Sequence, residues 1–395
     1  MNNRELFLRH VAQTSPEPMA LEIARAKGNY LYGADGTQFI DLIGGISVCN
    51  IGHSHPAVVQ AIKDQAEKYL HVMVYGELVL SPQVRYAERL CAHLPAGLDS
   101  VYFTNSGSEA TEGALKLAKR ATGRPNIICC NNSYHGSTSG ALALMGDEYW
   151  RNAFRPLMPG VRHYDFNSDA LIEAIDADTA CVVVETIQGE AGVVAPTNNW
   201  LQQLRQRCTD TGALLVLDEI QCGFGRTGKL WGFEHFGVVP HILLMGKALG
   251  GGMPMGAFVA SRELMWELTH TPVLGHITTF GGHPVCCAAG MAAFEVLLNE
   301  QLMDGIAQRN QEFHKLLVHP KILEIRSFGL LIAVRLESPA AVMRLIKHCT
   351  ANGVFTDWFL FAPDCVRIAP PLTIGLDDIR KACTVILQGL DAMGV

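Results

Sequence analysis

Four short apolar runs constrain this chain more than any other feature. NIICC (residues 126–130), ACVVVE (180–185), ALLVLDE (213–219) and ILLMGK (242–247) are each continuous in Val, Ile, Leu, Met, Ala or Cys, with no polar alternation. A strand that is apolar on both faces fits a sheet covered on both faces, as crossover helices cover a parallel sheet. The text between the runs is helical or turn-forming, with a helix predicted over residues 108–120 and a further short strand in VYFTN just before it. The expectation is an α/β architecture whose large domain has a mostly parallel sheet. Ligands of such sheets bind beyond the carboxyl ends of the strands. Three of the four runs end there on ionisable groups: Glu185, Asp218 with Glu219, and Lys247.

The chain has 395 residues, beyond the size at which one core stops growing, so two lobes are expected. Near the start, two alternating segments flank Asp35-Gly36, a hairpin signal. Helices are predicted over residues 56–69 and from Ser81-Pro82 to about His93. Past residue 285 the text changes to a long helix-like stretch over 284–318, then EIRSFGLLIAVRL, another helix and CVRIAP. This reads as a smaller α+β domain joined by the N-terminal hairpin. The expected division is 50–284 for the large domain, with 1–49 and 285–395 forming the small one.

The charge balance excludes some functions. A formal net charge of -7 and no Lys/Arg run argue against nucleic acid as a partner. No stretch reaches the ~18 apolar residues that span a bilayer, and the polar N-terminus is no secretory signal. The twelve cysteines sit partly inside apolar runs and lack metal-ligand spacing, so they read as reduced thiols of a cytoplasmic protein. No metal is expected.

Three segments carry chemistry. Asp218 ends a buried strand, as either an ion-paired structural acid or a ligand contact. Lys247 follows another strand and precedes Gly250, Gly251 and Gly252. It is either a snorkelling surface lysine or a buried amine of lowered pKa suited to Schiff-base chemistry. Ser106, Gly107 and Ser108 open a helix, where free N–H groups and the dipole cap the helix or hold a phosphate. A phosphate cradle, an acid for a pyridine nitrogen and a Schiff-base lysine are together what pyridoxal 5'-phosphate needs from a protein.

The chain also resembles the class III aminotransferases of the fold-type I pyridoxal-phosphate superfamily. The matching motifs are DLIGGISVCNIGHSHP, FTNSGSEATEGALKLAKR, YHGST, VVVETIQGEAGV, LLVLDEIQCGFGRTGK, LMGKALGGGMPMGA, ITTFGGHP and VRIAPPLT, in family order from Asp41 to Thr373. The resemblance implies that Lys247 carries the cofactor as a Schiff base and shuttles the proton. Asp218 would pair with the pyridine nitrogen, Gln221 would reach the phenolic oxygen, and Tyr134 would stack on the ring with His135 beside it. Ser106, Gly107 and Ser108 would bind the phosphate, and Glu185 joins the cofactor-binding set. Thr279 resembles the threonine that reaches the phosphate of a partner subunit, which implies a homodimer with shared active sites.

On substrate, Arg367 resembles the arginine that grips the α-carboxylate of glutamate, and Glu190 the acid that pairs with it when an amine end is bound. The alternative for Arg367 is a structural salt bridge. Relatives acting on ornithine or acetylornithine carry Arg where this chain has Ser137, and ornithine enzymes carry an aromatic where it has Ile46. The Gly44–Ile46 text is similar to the acetylornithine and 4-aminobutyrate groups. His53, His55, Arg151 and Arg155 are candidate substitutes for holding a distal carboxylate. The expected reaction moves an amino group from an ω- or δ-amino donor to 2-oxoglutarate by a ping-pong mechanism. An aminomutase or decarboxylase on the same fold is the alternative, and a noncatalytic cofactor-binding regulator a remote third.

Overall fold

A computed structural model describes residues 1–76 and 78–393. Glu77, Gly394 and Val395, which fall inside the expected domains, lie outside the described residues. At the centre is a seven-stranded sheet in the order Ser100–Thr104, Gly256–Ala260, Ile242–Met245, Leu214–Asp218, Thr179–Glu185, Asn126–Cys130, Val161–Tyr164. Only Gly256–Ala260 runs antiparallel to its neighbours; the other pairings are parallel. Every residue of Thr179–Glu185 is buried. Its alternate side chains serve two cores. Cys181 and Val183 pack with Ala110, Ala114 and Leu117 of the helix Gly107–Thr122. Val182 and Val184 pack in the opposite core with Trp200 and Leu204 of the helix Trp200–Thr211. Burial on both faces is why these strands lack polar alternation.

Two strands escape the sequence pattern. Gly256–Ala260 reads GAFVA, too small and short to stand out, and Val161–Tyr164 is a half-buried edge strand containing Arg162 and His163. The expected long helix over 284–318 is two helices, Pro284–Asn299 and Ile306–Leu316. The break passes through Gln301 and Gly305, both at positive φ, and Gly305 caps the second helix in a left-handed conformation. The first of these helices packs on Pro56–Lys68 and Ser81–Cys91.

A four-stranded antiparallel sheet follows further along the chain, in the order Glu324–Phe328, Leu331–Arg335, Cys365–Ile368 and Asp357–Trp358. The N-terminal hairpin turns at Asp35-Gly36, with Tyr30 opposite Ile40. Its strand Gln38–Asp41 gains a parallel partner in Val354–Phe355 from the C-terminal part of the chain. Among the described residues no helix is long and apolar enough to cross a membrane.

Candidate active site

The parallel strands deliver their terminal groups to one edge of the large sheet. Glu185 and Asp218 are register partners at adjacent strand ends, and Asp218 pairs in turn with Leu244, three residues before Lys247. Beyond this edge lies a chamber of about 500 Å³. Ser106, Gly107, Ser108, Tyr134, His135, Ser137, Glu185, Glu190, Asp218, Gln221 and Lys247 all line it. The sequence reading passed over Gly136, Thr138, Ile187, Ile220 and Cys222, which also line it and carry no chemical signature in the text.

Lys247 is half-buried and has φ +47°, a left-handed backbone that a non-glycine residue adopts at some strain. Its Nζ donates no hydrogen bond among the described residues. Burial lowers its pKa, and nearby Arg367 does the same, against the opposing pull of Glu190, Asp218 and Glu185. Each oxygen of Asp218 accepts one hydrogen bond, Oδ1 from Ile220 N at 2.9 Å and Oδ2 from His135 Nδ1 at 2.7 Å, which leaves acceptor capacity toward the chamber. His135 is buried, which argues against its charge, but the hydrogen bond and charge of Asp218 raise its pKa. Burial pushes the Glu185 carboxyl up to about 7. It accepts from Tyr134 N at 3.1 Å and Gly189 N at 2.8 Å, tying together the loops that carry Tyr134 and Glu190.

At the other end of the chamber the helix Gly107–Thr122 begins. Ser106 Oγ caps it by accepting from Glu109 N at 3.2 Å. Ser108 Oγ accepts from the backbone N–H groups of Ser137 and Thr138, both at 3.1 Å. The loop approaches this closely because Gly136 has no side chain: a Cβ there would lie 2.2 Å from Ser108 Oγ, and φ is +124°.

A second cluster adjoins the chamber. Glu190, on its wall, receives Arg367 NH1 at 2.7 Å and NH2 at 2.8 Å. Burial works against the Glu190 charge, but Arg367 holds its pKa below the ordinary value. Arg367 sits behind Glu190 and does not itself line the chamber. The remaining candidates lie elsewhere. Ile46 is exposed and off the chamber, and Thr279 lines a separate pocket with His71, Met73 and Ile277. None of the four candidate substitutes for a distal carboxylate contact lines this chamber. His53 is paired with Asp41 and His55 lies near Glu300, while Arg151 and Arg155 are both engaged by Glu148. Lys247 is the one lysine or arginine on the chamber wall among the described residues.

These residues fit pyridoxal phosphate on the evidence of their own valences. Gln221 Nε2 and His135 Nε2 are buried in the chamber lining without a partner, a state polar atoms rarely keep unless something else meets them. The helix start at Gly107 offers backbone donors for a phosphate, and Asp218 a buried carboxylate. A doubly wound sheet with this set at its carboxyl edge defines a pyridoxal-phosphate-dependent enzyme. The class-III aminotransferase family model matches residues 11–390, and the chain belongs to that family. It is similar to the acetylornithine aminotransferase of Streptomyces coelicolor, 40% identical over 379 residues that cover 94% of this chain and 90% of the relative. The Methanopyrus kandleri acetylornithine aminotransferase is 36% identical and covered in full, as is this chain. Among solved structures, the ornithine aminotransferase of Toxoplasma gondii superposes with a TM-score of 0.91 at 31% identity, covering 100% of this chain and 96% of that one. The protein is a pyridoxal-phosphate-dependent aminotransferase.

Proposed function

We propose that this enzyme takes the amino group of a δ- or ω-amino donor of the acetylornithine type and delivers it to 2-oxoglutarate in a ping-pong cycle. The observation that carries the reading is the two-point Glu190–Arg367 pair at the chamber wall. A guanidinium fork matches a carboxylate. With Glu190 in place the fork is neutralised and the wall accepts an amine end; with Glu190 displaced, the fork is free for the α-carboxylate of glutamate or 2-oxoglutarate. An aminomutase or decarboxylase needs no such exchange. The names of the most similar relatives support the donor class.

In this reading pyridoxal phosphate, when bound, supplies the electron sink and the carrier for the amino group. Lys247 Nζ, made less basic by burial, anchors the cofactor and then moves the proton at the carbon that exchanges its amino group. Asp218 would hold the ring nitrogen protonated, with His135 Nδ1 bonded to the Asp218 carboxylate to fix its orientation. Ser106, Gly107 and Ser108 would take the phosphate, Gln221 the phenolic oxygen, and Tyr134 would stack on the ring. Glu185 positions the Tyr134 and Glu190 loops.

Thr279 supports a homodimer with shared sites, because it stands away from its own chamber. Beside it Met73, Leu274 and Ile277, in the same pocket, and the adjacent Phe280 are exposed, an apolar surface of the kind interfaces use. We place the working protein in the cytoplasm, where its twelve free cysteines stay reduced. The residues 50–284 with the adjoining helix then form the cofactor lobe, and the two terminal segments the lobe that carries Arg367. A panel of amino donors, including acetylornithine, ornithine and 4-aminobutyrate, mixed singly with the yellow holoenzyme tests the reading. Donors of this class bleach the cofactor band and 2-oxoglutarate restores it. Bleaching by none of them overturns it.

A further inference from the structure

Arg367 has a second acidic neighbour that the exchange with Glu190 leaves unexplained. Asp357 stands directly opposite it on the adjoining antiparallel strand, so the two side chains share a face of the sheet. Asp357 Oδ1 lies 3.0 Å from Arg367 Nε. Both atoms are buried and have no other partner, and the contact acts as a hydrogen bond on both groups. The rest of the guanidinium is also engaged: Glu190 takes one donor each of NH1 and NH2, Trp358 O accepts from NH2 at 2.8 Å, and the Phe359 ring lies 4.5 Å from Cζ. Glu190 is itself braced by Leu360 N at 3.0 Å. With Glu190 in place, the clamp is rigid and Arg367 needs no other anchor.

Resting on the exchange reading above, we propose that Asp357 is a positioning residue, which aims the Arg367 fork at the chamber once a substrate carboxylate displaces Glu190. Of the three contacts that then remain, Asp357 is the only charged one. Its contact is at Nε, the edge of the guanidinium away from the fork, so it steadies the plane without competing for NH1 and NH2. The charge of Asp357 weakens the hold of Arg367 on Glu190 and on an incoming carboxylate alike, and this largely cancels from the exchange. What does not cancel is aim, because Glu190 brings its own brace and a substrate does not. The charged groups facing Asp357 are Arg367, Glu190 and Asp41, the last bonded to His53. Burial, with Glu190 and Asp41, raises the Asp357 carboxyl to about 6 against the pull of Arg367.

Two near-isosteric variants of the holoenzyme test this, with glutarate as an unreactive dicarboxylate probe followed by calorimetry. Asp357→Leu removes the acceptor at Nε. The glutarate Kd and the KM for 2-oxoglutarate should rise about tenfold, the scale of one lost hydrogen bond to a charged group. The amine half-reaction should stay within about twofold. Asp357→Asn keeps an oxygen at Nε and should hold the glutarate Kd within about threefold. Equal losses in both half-reactions, an unchanged glutarate Kd in the Leu variant, or an Asn variant as impaired as Leu each overturn the proposal. If the Leu variant does not fold, the Asn limit decides alone, and a glutarate Kd raised beyond it rejects positioning by contact. Arg367→Lys separates the two levels. If it leaves glutarate affinity intact, the exchange reading itself fails; if it weakens affinity and Asp357→Leu does not, only the positioning role fails.

Discussion

Glu185 and Asp218 stand side by side as the last residues of two adjacent parallel strands, in direct register. Two buried acids at that spacing repel each other, and the structure answers with specific donors. Glu185 receives two backbone N–H groups, while Asp218 receives His135 and Ile220 N. Asp218 is therefore the acid that faces an ionisable imidazole, and Glu185 is held by backbone donors. The half-buried Lys247 beside them completes an edge on which one amine meets several carboxylates.

Lys247→Ala should remove turnover by many orders of magnitude while leaving the fold intact, since covalent attachment and proton transfer both pass through Nζ. Borohydride reduction of the wild-type holoenzyme followed by peptide mapping should find the cofactor on Lys247 alone. A label on any other lysine overturns the assignment.

Asp218→Asn should retain cofactor but lose about a thousandfold or more in the rate of substrate deprotonation, because an amide cannot hold a ring proton by charge. It also leaves His135 without its anionic partner. Rapid-mixing absorbance of the amine half-reaction gives the rate. A value near wild type would show that another group keeps the ring protonated.

The exchange at Arg367 predicts opposite biases in two variants. Arg367→Lys replaces a two-point fork by a point charge and should cost the glutamate half-reaction about 2–5 kcal/mol, or roughly 30- to several-thousand-fold. The amine half-reaction should suffer far less. Glu190→Gln frees Arg367, so it should favour glutamate and penalise the amine donor. Equal losses in the two single-turnover half-reactions would mark the pair as structural.

A shared site makes Thr279 complementable. Thr279→Ala and Lys247→Ala homodimers should each be weak or dead, but mixing and exchange should restore activity through hybrids with one intact site. Sedimentation checks the premise: a fully active monomer rules it out.

Stability should depend on pH through His53. Burial disfavours its charge, but the Asp41 carboxylate at 2.6 Å, with Cys49 alongside, raises its pKa to about 10. A raised folded pKa stabilises fully below the unfolded value near 6.5 and is lost as pH climbs through about 10. His53→Gln should lower stability by about 1–3 kcal/mol at pH 6 and show less decline from pH 7 to 10 than wild type. Urea midpoints across that range decide it, and parallel curves for the two proteins count against the pair.

Much of this protein was legible in the text because its decisive features are local. Burial on both faces leaves continuous apolar runs, so Thr179–Glu185, Leu214–Asp218 and Ile242–Met245 could be read directly, and with them the ionisable groups at their ends. The helix start after Ser106 is a local signal too, since capping involves residues three apart. Where the local signal fades, so did the reading: Gly256–Ala260 has little side chain to pattern, and the turn before Gly305 interrupts an otherwise helical text.

The tertiary structure is what physically brings the partners together. His135 reaches Asp218 across 83 residues of sequence, and Arg367 reaches Glu190 across 177. Asp357 carries no motif and gains its place only from strand register opposite Arg367. Such pairings follow from sheet order and from how the two lobes pack, and neither is encoded in any short window. A residue's chemistry is written in its own side chain, but its partner is set by the path of the whole chain, and a site built from partners exists only once that path is folded.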